Sequence, residues 1–192
     1  MNAPADAIRR ESRFGLAEAL PAHMGLAFIS TIVLAAIPLG RFGFGAEGLA
    51  GVLIVVVLVA LALKDLEERR IPNVVVLPAA ALVLVGVALF RPDHAVEAIV
   101  AALAAAGFLV LPSIFVRGAV GMGDVKLAFL IGAALGRGTA TALLLGSLAG
   151  SVAAVVVLLR YGGAARKMAL PFAPFLVFGA VAAIALGAQH AF

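Results

Sequence analysis

Seven long apolar runs, separated by short polar or glycine- and proline-bearing breaks, make up most of this chain: about 23–40, 47–64, 73–90, 95–116, 125–137, 139–160 and 171–189. A helix needs roughly 20 apolar residues to cross the hydrocarbon core of a bilayer, within a range of about 17–25. In hydrocarbon every backbone N–H and C=O must be satisfied within the structure, which leaves helices or closed barrels. The runs are continuous and lack the alternation of barrel strands. The expected fold is therefore all-α, a polytopic membrane helical bundle of about six to seven transmembrane helices. The run at 125–137 is short by this standard. It is expected to be tilted, extended by the residues before it, or started inside a cavity.

Composition agrees: 65% of the 192 residues are hydrophobic and 12% are charged, more apolar surface than a soluble domain of this size needs. A pI near 10.3 would point to nucleic acid in a soluble protein. Here the basic residues lie mainly in short loops and report topology instead. The expected surroundings are the lipid bilayer, with no nucleic-acid partner. The absence of cysteine excludes disulfides, thiolate metal sites and a cysteine nucleophile. His23, His94 and His190 lack metal-ligand spacing, so no metal and no cofactor are expected. Residues 1–22 mix Arg9, Arg10 and Arg13 with Asp6, Glu11 and Glu18. The run that follows is long enough to stay as an anchor, so a cleaved signal peptide is not expected.

Loop charge sets a direction. If the break after the second run is cytoplasmic, that side holds Arg9, Arg10, Arg13, Lys64, Arg69, Arg70, Arg117, Lys126, Arg160, Arg166 and Lys167. The other side holds Arg41, Arg91 and Arg137. An excess of eleven to three places the N-terminus in the cytoplasm and the C-terminus outside, in a multi-pass protein of the cytoplasmic (inner) membrane. Pro72 is expected at the first helical position of the third run, where its missing N–H costs nothing. Gly132/Gly136 and Gly146/Gly150, each pair four apart, fit close helix packing or the ordinary composition of membrane helices.

Two aspartates stand out on this background. Asp65 ends the second run and Asp124 opens the fifth, and the charge rule puts both at the same membrane face. A carboxylate at the margin of a bilayer core is costly to desolvate and reads as functional by default. Two carboxylates a few ångströms apart do not both ionise easily and come to share a proton. One then takes a proton from a water that attacks a peptide carbonyl. The other hydrogen-bonds the carbonyl oxygen and later helps to protonate the leaving amine. Gly121 and Gly123 flank Met122, so the backbone before Asp124 is free to take unusual angles and approach a substrate strand. Asp124 at a helix start also fits the helix dipole or plain N-capping. Lys126 fits a tuning or substrate-contacting group, or a snorkelling anchor. Asn73 is expected to hydrogen-bond backbone near Asp65, or to be an ordinary polar group at a helix start.

The segment Asp65-Leu66-Glu67-Glu68-Arg69-Arg70-Ile71-Pro72-Asn73, followed by Gly121-Met122-Gly123-Asp124-Val125-Lys126-Leu127, resembles the type IV prepilin peptidases, membrane aspartyl proteases of the GxGD kind. It is most similar to the small Tad/Flp-pilus type. Lys167-Met168-Ala169-Leu170-Pro171-Phe172-Ala173-Pro174-Phe175 resembles a further family pattern, with Ala173 where the family usually has Gly. The resemblance implies that Asp65 and Asp124 are the catalytic pair, supported by Gly121, Gly123, Lys126, Ile71, Pro72 and Asn73. It also implies a substrate: a prepilin or pseudopilin whose basic cytoplasmic leader is cut off just before a hydrophobic helix. Larger members carry paired Cys-x-x-Cys zinc motifs and N-methylate the product; without cysteine, neither is expected here. The expected division is a cytoplasmic tail over 1–22 and a polytopic peptidase domain over 23–192, in which 23–46 adds a helix before a catalytic core over 47–192.

Glu67 and Glu68 fit attraction of a basic leader, although Arg69 and Arg70 beside them also fit a solvated topogenic loop. Two other functions compete. A protease of the presenilin or signal-peptide-peptidase kind shares Gly-x-Gly-Asp, but usually has Tyr where Lys64 precedes the first aspartate. A proton-coupled transporter would want its acids near mid-bilayer, whereas these lie near one face.

Overall fold

The computed structural model describes residues 30–68, 71–115, 120–162 and 171–188. The N-terminal tail, Arg69, Arg70, Arg117, Arg166, Lys167, His23 and His190 fall outside the described residues. Seven α-helices appear among them: α1 (Ser30–Phe42), α2 (Ala46–Glu68), α3 (Asn73–Phe90), α4 (Pro92–Phe115), α5 (Met122–Leu135), α6 (Thr139–Tyr161) and α7 (Ala173–Ala185). A 3₁₀ turn, Gly136–Gly138, joins α5 to α6. By length and composition α2, α3, Pro92–Pro112 of α4 and the continuous stretch Met122–Tyr161 are apolar enough to cross a membrane; α1 and α7 are shorter apolar helices. The helical membrane bundle expected from the apolar runs is the fold observed.

α5 forms the centre. Val125, Leu127, Ala128 and every residue from Leu130 to Leu135 are buried. α4 lies along it with Ala98, Ala102, Ala105 and Leu109 turned inward, a stripe at helical spacing. α3 and α7 add further sides, and α7 in turn packs on α6 and α2. Small residues permit the close crossings, as expected where dispersion rather than water exclusion drives helix association. A Cβ on Gly132 would stand 2.5 Å from Ala102 Cα, and one on Gly179 would strike the Ala142 carbonyl.

The expected packing pair Gly132/Gly136 divides into two roles. Gly132 is the contact with α4, whereas Gly136 ends α5 at φ +53°, in a region that favours glycine because a Cβ is strained there. Both members of the other pair pack: a Cβ on Gly146 would lie 2.8 Å from the Phe175 carbonyl oxygen, and one on Gly150 would lie 2.9 Å from the Phe172 ring.

The short fifth run is extended at its start. α5 begins at Met122, so Asp124 is already in its first turn. Its 14 residues rise roughly 21 Å at about 1.5 Å each, short of a hydrocarbon core about 30 Å thick. The start of α5 accordingly borders a recess.

Candidate active site

That recess is a cavity of about 390 Å³ formed where three helix ends meet. Asp65 enters from the last full turn of α2, Ile71 and Asn73 from the start of α3, and Gly121, Met122, Gly123, Asp124 and Lys126 from the start of α5. The structure thus brings together both aspartates and five of the six supporting residues singled out in the sequence. The sixth, Pro72, lies between two lining residues. It occupies the N-cap of α3 at φ −70°, ψ 122°, one position before the expected first helical place, and its carbonyl accepts the N–H groups of Val75 and Val76. A larger cavity of about 720 Å³ lies between α4 and α6, but it is almost wholly apolar in lining and includes neither aspartate.

Asp65 is 7% exposed, the one charged side chain among the buried described residues. Its Oδ2 accepts a hydrogen bond at 3.4 Å from the backbone N–H of Ala173, the first residue of α7. The first N–H groups of a helix have no partner within it, and their positive end favours a carboxylate. The residue types around α7 do not reveal this contact. A backbone donor leaves no trace in residue type; the Pro174 in the first turn marks the helix start but not what it faces.

Asp124 is half-buried, and the two glycines before it act by making room. A Cβ on Gly121 would lie 3.3 Å from Asp124 Oδ2, and one on Gly123 would lie 3.1 Å from Ile71 Cβ. The expected unusual backbone angles are not found at Gly121, which sits at φ −69°, ψ 138°, ordinary extended backbone. What this position excludes is a methyl group against the carboxylate. Nor is Asp124 an N-cap. Gly121 holds that place without a side-chain cap, and the Asp124 N–H bonds to the Gly121 carbonyl at 3.0 Å.

Asn73 has a different partner from the one expected. Its Oδ1 accepts from Lys126 Nζ at 2.7 Å, which ties the start of α3 to the first turns of α5. Lys64, next to Asp65 in sequence, pairs along α2 with Glu68, so one of the two acids expected to attract a basic leader is already engaged. Among the described residues no group of three or more His, Asp or Glu side chains is placed to hold a metal ion.

The sequence profile of the type IV leader peptidase family matches residues 52–159, a stretch that holds both aspartates and every residue lining the cavity between them. The chain belongs to the type IV leader peptidase family. Two curated relatives agree. A prepilin leader peptidase/N-methyltransferase of Bacillus subtilis is 33% identical over 163 residues, covering 77% of this chain and 59% of its own length. One from Xanthomonas campestris pv. campestris is 31% identical over 179 residues, covering 88% of this chain and 60% of its own. The chain thus spans about three fifths of the length of these relatives. No solved structure matches it. Within this leader peptidase family chain, the matched stretch runs from α2 to near the end of α6, and the Ala173 amide that reaches Asp65 lies beyond it.

Proposed function

We propose that this chain is a membrane aspartyl endopeptidase that removes the basic leader from type IV prepilins or pseudopilins of the Flp/Tad kind, at the cytoplasmic face of the inner membrane. The observation that carries the reading is the meeting of Asp65 and Asp124, distant in sequence and on different helices, in one cavity. Family membership supports the substrate class.

In the proposed reaction the two carboxylates hold one proton between them. The ionised carboxylate takes a proton from a water as its oxygen bonds to the scissile carbonyl carbon. The protonated carboxyl hydrogen-bonds the carbonyl oxygen while charge develops there. Collapse of the tetrahedral intermediate breaks the C–N bond and passes a proton to the leaving amine, which returns the pair to its starting state. Neither metal nor covalent intermediate enters. The Ala173 N–H holds Asp65 in orientation, and the space over Gly121 keeps the Asp124 carboxylate unobstructed. The substrate's apolar helix lies in the bilayer with its leader at the cytoplasmic surface, so the bond to be cut arrives at the depth of the cavity. The positive-inside distribution of basic residues supports that orientation, with the N-terminus cytoplasmic and the C-terminus outside.

The test is cleavage of a purified Flp-type prepilin by this chain in liposomes, beside Asp65→Asn and Asp124→Asn. Wild type should cut at the leader boundary. Each variant should lose on the order of 10²–10⁴-fold in rate, the usual contribution of a positioned acid or base, while remaining folded. Retained cleavage by either variant would contradict the two-aspartate mechanism. No cleavage by folded wild type across several prepilins would contradict the substrate reading.

A further inference from the structure

Asp124 is bracketed by two contacts with the same short segment of chain. On one side, Gly123 lies so close to Ile71 that a Cβ there would stand 3.1 Å from Ile71 Cβ. On the other, Lys126 Nζ donates to Asn73 Oδ1 at 2.7 Å. All four residues line the cavity with the aspartates. Ile71–Asn73 is therefore fastened to α5 just before and just after Asp124, by an apolar contact and a polar one.

Helix packing gives this fastening its importance. α3 packs on α5 and α4, whereas α2 packs on α7, to whose first residue Asp65 is also bonded. α7 also packs on α5, so the two aspartates ride on different helices of one core: Asp65 on α2, tied to α7, and Asp124 on α5, packed on α3. A first helical turn is the part of a helix most free to shift, because its N–H groups lack partners within the helix. In α5 no side chain caps that turn. The Asn73–Lys126 bond supplies a restraint that a cap would otherwise provide.

We propose that the Asn73–Lys126 hydrogen bond is a positioning device that fixes the first turns of α5, and with them the Asp124 carboxylate, opposite Asp65; this rests on the peptidase reading. Neither residue touches the reacting atoms. Lys126 acts as a donor anchored on α3, and the charge matters only in strengthening that bond.

The experiment measures kcat and KM for prepilin cleavage, with thermal unfolding in detergent, for Asn73→Leu, Lys126→Met, the double variant and Asn73→Asp. A misplacement of about 1 Å costs up to roughly a hundredfold in rate. Asn73→Leu and Lys126→Met should therefore each lower kcat by roughly tenfold to a hundredfold, with KM within about twofold of wild type. The double variant should be no worse than either single one, because the two residues act as a pair. Asn73→Asp keeps an acceptor for Lys126 and should restore kcat to within about threefold of wild type. Losses that multiply in the double variant would overturn the proposal, as would a loss in KM alone, which would make Lys126 a substrate contact. Wild-type kcat in a folded Asn73→Leu protein would also overturn it. Absence of cleavage by wild type would remove the peptidase reading itself, and this inference with it.

Discussion

α3 and α5 are apolar helices of one bundle in contact with each other, yet α3 buries only Val76, Ala80 and Val87, while α5 is buried from Leu130 to Leu135 without a break. In water that contrast would follow from hydrophobicity. In a bilayer both inside and outside are apolar, and size decides instead. α5 offers Ala128, Gly132, Ala133 and Ala134 to its neighbours, which lets backbones approach. α3 turns Leu82, Val85 and Leu89 outward, a placement that a lipid surrounding would accommodate. The chemistry is divided accordingly. The buried helix carries Asp124, and the outward helix contributes only its first residue, Asn73, with Ile71 just before it, to the cavity.

The contrast breaks most severely at Gly132. Leucine there would force α4 away, since even its Cβ would meet Ala102 backbone at 2.5 Å. Overpacking of a close core costs about 1–3 kcal/mol and occasionally more, so Gly132→Leu should lower the thermal unfolding midpoint by several degrees and reduce the folded yield in detergent. Gly123→Val is the intermediate case. Its branches would press on Ile71 beside the cavity, and cleavage should fall by roughly tenfold or more, consistent with a local misplacement, with most of the folded yield kept. The smallest effect belongs to the outward face of α3. Leu82 is 73% exposed, and Leu82→Ala should change stability by no more than about 0.5 kcal/mol and leave cleavage unchanged. A large loss from Leu82→Ala would show that this face is covered by protein rather than lipid.

Much of this arrangement was legible in the residues. Long apolar runs fix helix number almost regardless of detail, because hydrocarbon forbids unsatisfied backbone. Accordingly α2, α3, α4 and α6 begin and end within a few residues of their runs. The start of α5 was less legible, since Gly121-Met122-Gly123-Asp124 reads as a polar break although Met122 onward is helical. The candidate residues for the site were legible by type, because an acid beside a long apolar run needs a reason. Their partners were not. Lys126 reaching Asn73 depends on how α3 and α5 cross, and the Ala173 N–H reaching Asp65 involves an atom every residue but proline carries. Gly121 shows the same limit in another form. Its smallness was visible, but whether it served backbone angle or space was decided only by what lay opposite.

The central claim is that Asp65 and Asp124 face one another across a single cavity, and it can be measured without any substrate. Because the chain contains no cysteine, Asp65→Cys/Asp124→Cys introduces the only two thiols. In isolated membranes a short bifunctional thiol reagent should link them within one chain in high yield, while Asp65→Cys/Leu82→Cys should give no such link. Failure of the 65–124 pair to link, with both thiols shown to react with a monofunctional reagent, would contradict the account.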